Sequence, residues 1–259
     1  MNLISMLRQK KVTHMDYKLY PNPVHDICTP FVYDKKQKRY LRYFLNPDPQ
    51  LIVIQNSGRN INIVGCNQRQ IVWERIPQRK LLIDYIESYR IPNNDFIDYV
   101  KNTYVVPTFP LSEEEAFIKT VIRQIINATQ AKKLFSNFVR KFGYEKNGIY
   151  GFPSSEMTAK ISLSDLRQLG LGFKAKRILT GLRMIREGKK IIELTGIGEW
   201  SKCILKVELN KDYSLYPFWD KSGVKINKIC GIDLKKVAQD NETVAGGIYL
   251  YTASYLEEK

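Results

Sequence analysis

The chain's chemistry centres on two features twenty residues apart. The first is Leu194-Thr195-Gly196-Ile197-Gly198-Glu199-Trp200, and the second is Asp220, which opens an Asp-Lys-Ser-Gly segment. Paired glycines reach backbone angles closed to other residues and make a tight turn. Such a turn, placed ahead of a helix, presents bare N–H groups that the helix dipole makes attractive to a phosphate. Trp200, Cys203, Ile204 and Val207 follow at i, i+3, i+4 and i+7, one apolar stripe of a helix. Lys202 and Lys206 lie off that stripe. Asp220 reads as a helix N-cap, and a helix N-terminus favours the charged carboxylate. A carboxylate so placed can stabilise a developing positive charge or orient a water.

The elements that position these residues follow from pattern. Residues 1 to about 76 read as β-rich. Tyr40 to Leu45 precedes a turn at Asn46-Pro47-Asp48-Pro49, Leu51 to Ile54 and Ile61 to Val64 flank a Gly-containing loop, and Gln70 to Trp73 suggests a further strand. The short connections predict an antiparallel sheet. From about residue 78 the pattern is helical, with short helices over 81–89 and 95–104 that Pro92 and Pro107 interrupt. Ser112 and Glu115 form a capping-box signal ahead of a helix that carries Phe117, Val121, Ile122 and Ile125 on one face. Further helices are predicted over 131–142, from Ser164, and over 174–187, 221–229, 234–239 and 245–257. The reading is an α+β protein, with a β-rich domain over 1–77 and a helical domain over 78–259.

The 259 residues are enough for a sizeable core. Lysine and arginine number 41 against 26 acids, a net charge of +15, which favours a polyanion partner. No apolar run approaches the roughly 20 residues of a membrane span, and the short Leu3 to Leu7 patch is too brief for a secretory signal. Cys28, Cys66, Cys203 and Cys230 are scattered, which argues against a zinc or iron–sulfur site and fits a reducing, cytoplasmic setting. His14 and His25 are early and isolated.

With the Gly-Ile-Gly-x-Trp turn and its downstream Asp, two more segments share an order. These are Leu169-Gly170-Leu171-Gly172-Phe173-Lys174-Ala175-Lys176-Arg177-Ile178, and Ala116 to Gly143 with its Arg123-Gln124 pair. Together they resemble the helix-hairpin-helix DNA glycosylases, in the 3-methyladenine and 8-oxoguanine branches, over residues 110 to 259. The resemblance implies an N-glycosylase that flips a damaged base from double-stranded DNA and acts as a monomer in base-excision repair. It implies Asp220 as the catalytic carboxylate. Phosphate contacts fall to Thr195, Gly196, Ile197 and Gly198, with Lys202, Lys174, Lys176 and Arg177 adding charge. The base pocket falls to Trp200 and Trp219, and the filling of the vacated stack to Asn127. The backbone carbonyls of Ile192, Leu194 and Ile197 match the family's site for a sodium or potassium ion; no other cofactor is implied.

Two departures stand out. Only five residues separate Gly188 from Leu194, so the first helix of the hairpin is either very short or the 174–187 helix itself. Trp200 stands where the lyase branch carries a nucleophilic lysine, which implies a monofunctional hydrolase acting on alkylated purines. An 8-oxoguanine glycosylase and a non-catalytic binder of distorted duplex are the alternatives.

Overall fold

The computed structural model describes residues 16–20, 22, 28–46, 48–56, 61–66, 79–89, 91 and 93–258. The expected strand at Gln70 to Trp73, both histidines and the 77/78 boundary lie outside them. The strands β1 (Asp16–Leu19), β2 (Val32–Asp34), β3 (Arg39–Leu45), β4 (Pro49–Asn56) and β5 (Ile61–Val64) come first. Helices α1 (Arg79–Ser88) and α2 (Asn94–Asn102) lead into β6 (Thr103–Val106). Then come α3 (Glu113–Arg123), α4 (Ala128–Phe142), β7 (Tyr144–Lys146), β8 (Ile149–Gly151), α5 (Ser155–Ala159), α6 (Leu163–Gln168) and α7 (Gly172–Arg186). A 3-10 turn at Ile191–Glu193 precedes α8 (Glu199–Asn210), and a second at Tyr213–Leu215 precedes α9 (Lys221–Cys230), α10 (Leu234–Asp240) and α11 (Glu242–Glu258).

The α+β architecture is as read, but the sheet is mixed rather than antiparallel. β2, β3, β4 and β5 pair antiparallel, while β1 pairs parallel with β6 and β3 pairs parallel with β8. The parallel pairs join strands distant in sequence, with α1 and α2 lying between β1 and β6. The helical part thus returns three strands to the β region, and a cut at residue 77 does not separate sheet from helices.

One buried ion pair ties the two parts together. Arg42 on β3 donates from both terminal nitrogens to the Glu115 carboxylate on α3, at 2.9 and 2.8 Å. Ser112 caps α3 as expected, accepting from the Glu115 N–H. The Glu115 carboxylate, however, serves Arg42 and the Leu111 N–H instead of completing a capping box. A packed core gathers Phe117, Val121, Phe135, Phe138, Ile178 and Leu182 from α3, α4 and α7. A second core surrounds α11, with Val244, Ile248, Tyr251 and Tyr255 packed against Leu82, Phe96 and Ile204. α8 serves both cores, with Leu205 in the first and Ile204 and Val207 in the second, and the site lies along it.

Candidate active site beside the hairpin

The hairpin is built as its glycines require. Gly196 has φ +86, which demands glycine; a Cβ there would also meet the tip of the Arg177 side chain at 2.6 Å. Gly198 is the N-cap of α8, with φ −75 and no side-chain cap. A Cβ on Gly198 would meet no atom within 4 Å. Its missing side chain serves no contact inside the protein and leaves open space before uncapped helix N–H groups, the arrangement that accepts a phosphate. Thr195 and Gly196 are exposed, and the Ile197 side chain anchors the turn in the core. The Leu194 carbonyl accepts from the Ile197 N–H at 3.1 Å, which closes the turn. The first hairpin helix is the short alternative, the 3-10 turn Ile191–Glu193.

Asp220 is the N-cap of α9, where its Oδ1 accepts from the Gly223 N–H at 2.8 Å. Its Oδ2 accepts from the Trp200 indole N–H and from the Tyr216 hydroxyl, each at 3.1 Å. Three donors from two helices and a loop fix the half-buried carboxylate. Tyr216 opens onto a cavity of about 250 Å³, also lined by Tyr20, Tyr249, Ile204, Arg123 and Glu208. Tyr216 and Tyr249 stack with centroids 3.9 Å apart. Burial pushes both phenols well above their ordinary pKa, so the Tyr216 hydroxyl stays a donor at neutral pH. The Arg123 guanidinium lies over the Trp200 ring, 5.8 Å from its centroid.

The turn between α3 and α4 departs most from the sequence reading. The predicted apolar face ran through Ile125, but α3 stops at Arg123. Ile125 has φ +62 and is 93% exposed. A β-branched side chain in the left-handed region is strained, so its surroundings must hold it there. Gln124 provides the hold. Its Oε1 accepts from Arg177 Nη1 and its Nε2 donates to Ser201 Oγ, both at 2.7 Å. Lys174 adds two more bonds, from its ammonium to the carbonyls of Ile122 and Gln124 at 2.6 and 2.7 Å. Phe173, the neighbour of Lys174, is 69% exposed. Two large apolar side chains therefore leave the surface from residues adjoining one buried hydrogen-bonded joint, which also carries Arg177 against Gly196 of the hairpin.

Several expected site residues are brought together and others are not. Trp200 and Asp220 meet directly, and Lys176 is exposed on α7, next in sequence to the Arg177 that lies against Gly196. Lys174 cannot meet a phosphate: it is fully buried and serves the α3 carbonyls. Asn127 caps α4, its side chain accepting from the Gln130 N–H, and is exposed on the same turn as Ile125. Neither Trp200 nor Trp219, the expected base pocket, lines the cavity: its aromatic wall is made of tyrosines, Trp200 turns its indole N–H to Asp220, and Trp219 is 51% exposed. Lys202 pairs with Glu199 at 2.8 Å. The sequence reading missed Tyr216, Tyr249, Lys119, Arg123 and Glu208. Glu208 carried a signal, because it falls at i+8 from Trp200 on a stripe that is otherwise apolar.

The fold is that of solved 8-oxoguanine and 3-methyladenine DNA glycosylases. An 8-oxoguanine glycosylase/lyase from Clostridium acetobutylicum, solved with DNA, superposes with a TM-score of 0.62 over 90% of each chain at 15% identity. A 3-methyladenine DNA-glycosylase from Archaeoglobus fulgidus gives 0.61 over 87% of this chain and 89% of that one, at 20% identity. At these identities the likeness establishes fold and not substrate. In sequence, 121 residues are 33% identical to YfjP of Bacillus subtilis (strain 168), which is named provisionally as a DNA-3-methyladenine glycosylase. That match covers 40% of this chain and 42% of the relative, less than half its length. No family model matches the chain.

Proposed function

We propose that the chain is a monofunctional DNA N-glycosylase that removes alkylated purines from duplex DNA and leaves abasic sites. The observation that carries this reading is the Asp220 carboxylate, held by three donors of which one, Tyr216, lines an aromatic cavity and another, Trp200, stands on the helix that follows a phosphate-accepting hairpin. Uncapped N–H groups at Gly198 and beyond grip a phosphate. Ile125 and Phe173 enter the duplex where the base leaves the stack, with Ile125 taking the role the sequence reading gave to Asn127. The extruded base enters the cavity. As the sugar–base bond breaks, the sugar becomes oxocarbenium-like. The Asp220 carboxylate stabilises that charge and orients the water that adds. Trp200 occupies the position of the lyase lysine, and Lys202 is paired with Glu199. The carbonyls of Ile192, in the 3-10 turn, and of Leu194 and Ile197, in the closed turn that follows, would hold a monovalent cation, which would steady the hairpin.

One observation favours a second reading. The Arg123 guanidinium already lies against Trp200, where a cationic alkylated base would stack, and this favours a neutral base such as 8-oxoguanine. Duplex oligonucleotides carrying methylated purines or 8-oxoguanine, followed by alkali cleavage, separate the two. The proposal expects strand breaks only after alkali at methylated purines and no adduct trapped by borohydride. Excision of 8-oxoguanine alone would favour the second reading, and a trapped adduct would establish a lyase. Binding without excision of any lesion would leave a non-catalytic binder of distorted duplex.

A further inference from the structure

The floor of the cavity is charged. Lys119 on α3 and Glu208 on α8 pair at 3.2 Å with side chains only 4% and 7% exposed. Arg123 Nη1 stands 3.8 Å from the same Glu208 oxygen. Trp200, Ile204 and Glu208 lie at i, i+4 and i+8 on one face of α8. That face runs from the indole bonded to Asp220 to a position about 12 Å deeper along the axis. Helical side chains lean toward the N-terminus, so the carboxylate reaches back toward the indole. Lys119 and Arg123 hold the facing stripe of α3. Lys225 and Glu257 also line the cavity, but both are exposed at its rim.

A buried ion pair is a weak source of stability, and apolar side chains of similar volume often do as well or better. On the wall of a cavity the pair has a second use. We propose that Glu208, with Lys119 and Arg123, reads the Watson–Crick edge of the extruded base and selects guanine-derived lesions over adenine-derived ones. This rests on the reading of the cavity as the base pocket. Guanine offers two adjacent donors, N1–H and the N2 amino group, beside the O6 acceptor. A carboxylate next to a cation complements that set. A carboxylate has about four acceptor sites and an ammonium three donors, so each can serve its partner and a base together. Adenine presents the N1 lone pair where guanine presents N1–H. Against Glu208 it would meet a second acceptor, and a buried polar mismatch costs more than a missing contact. Alkylation at N7 and oxidation at C8 both leave guanine's edge intact.

The test uses free bases, so it does not depend on bond cleavage. Calorimetric titration of the wild-type chain with 7-methylguanine, 3-methyladenine and adenine should give an affinity for 7-methylguanine higher by about tenfold or more. Glu208→Gln should reduce that preference to about threefold or less. Because this change leaves Lys119 buried without its partner, a second variant, Lys119→Met with Glu208→Met, removes both charges at similar volume. It should lose the preference equally while keeping the wild-type circular dichroism spectrum. Equal or tighter binding of an adenine base by the wild type, failure to bind any free base, or an unchanged preference in a folded variant would overturn the proposal. Guanine preference without excision of any lesion would leave this proposal standing and remove the glycosylase reading. Excision confined to adenine lesions would do the reverse.

Discussion

Lys174→Met tests whether the buried joint behind Ile125 carries the charge the structure implies. Burial first, then the nearby Arg177, lower the Lys174 pKa from 10.5 to about 8. At pH 7 the ammonium is charged in both folded and unfolded chains, so the folded state bears the full cost of the buried charge. Between pH 8 and 10.5 the folded chain releases the proton while the unfolded chain keeps it. The unfolded state then binds more protons, and stability rises with pH. The slope is at most about 1.4 kcal/mol per pH unit, and the total is on the order of 3–4 kcal/mol at most. Met has similar length and no charge, so the difference between wild type and variant isolates this group from the buried tyrosines, which both proteins share. Urea unfolding at pH 7, 8, 9 and 10 measures it. The stability difference, wild type minus variant, should be flat up to pH 8 and then climb. A flat difference throughout, or one that falls above pH 8, would refute the reasoning.

Gly198→Ala adds a methyl group to open space at an allowed φ. Stability should change by less than about 1 kcal/mol, while binding to undamaged duplex should weaken about tenfold through lost phosphate contacts, as read by fluorescence anisotropy. Ile125→Gly should separate stability from function. Relief of the left-handed strain, less the added freedom of the unfolded chain, should raise stability by about 1 kcal/mol. The same change should weaken base extrusion, measured with 2-aminopurine beside the lesion. Glu115→Ala should strand Arg42 in the interface between sheet and helices and cost about 3–5 kcal/mol in thermal unfolding.

The sequence revealed most where local chemistry decides the outcome. The glycine hairpin and the N-caps at Ser112 and Asp220 depend on residues within a few positions of each other and formed as read, whereas Glu115 left the expected capping box for Arg42, and the buried face of α8 took in Ser201, Leu205 and Glu208 but only half-buried Cys203. What escaped depends on partners far along the chain. β6 pairs in parallel with β1 across two helices, and nothing within Thr103 to Val106 names that partner. Lys174 looked like a surface cation because its spacing suits an exposed helix face, but the α3 carbonyls that bury it come from fifty residues earlier. Ile125 continued an apolar face until the chain broke from helix at Gln124, held by Arg177 and Ser201. The tyrosine wall of the cavity draws on Tyr216 and Tyr249, and only the folded α11 brings them together. Glu208 could have been found as a lone charge on an apolar stripe.

The central claim is that the Asp220 carboxylate acts on the sugar of the extruded nucleotide, and Asp220→Asn tests it most directly. Asparagine keeps an oxygen for the Gly223 N–H and removes the charge. Single-turnover excision from a duplex that the wild type cleaves should fall by about a hundredfold or more, with the DNA dissociation constant within about threefold of wild type. An Asp220→Asn protein that excises the same base at the wild-type rate would contradict the account.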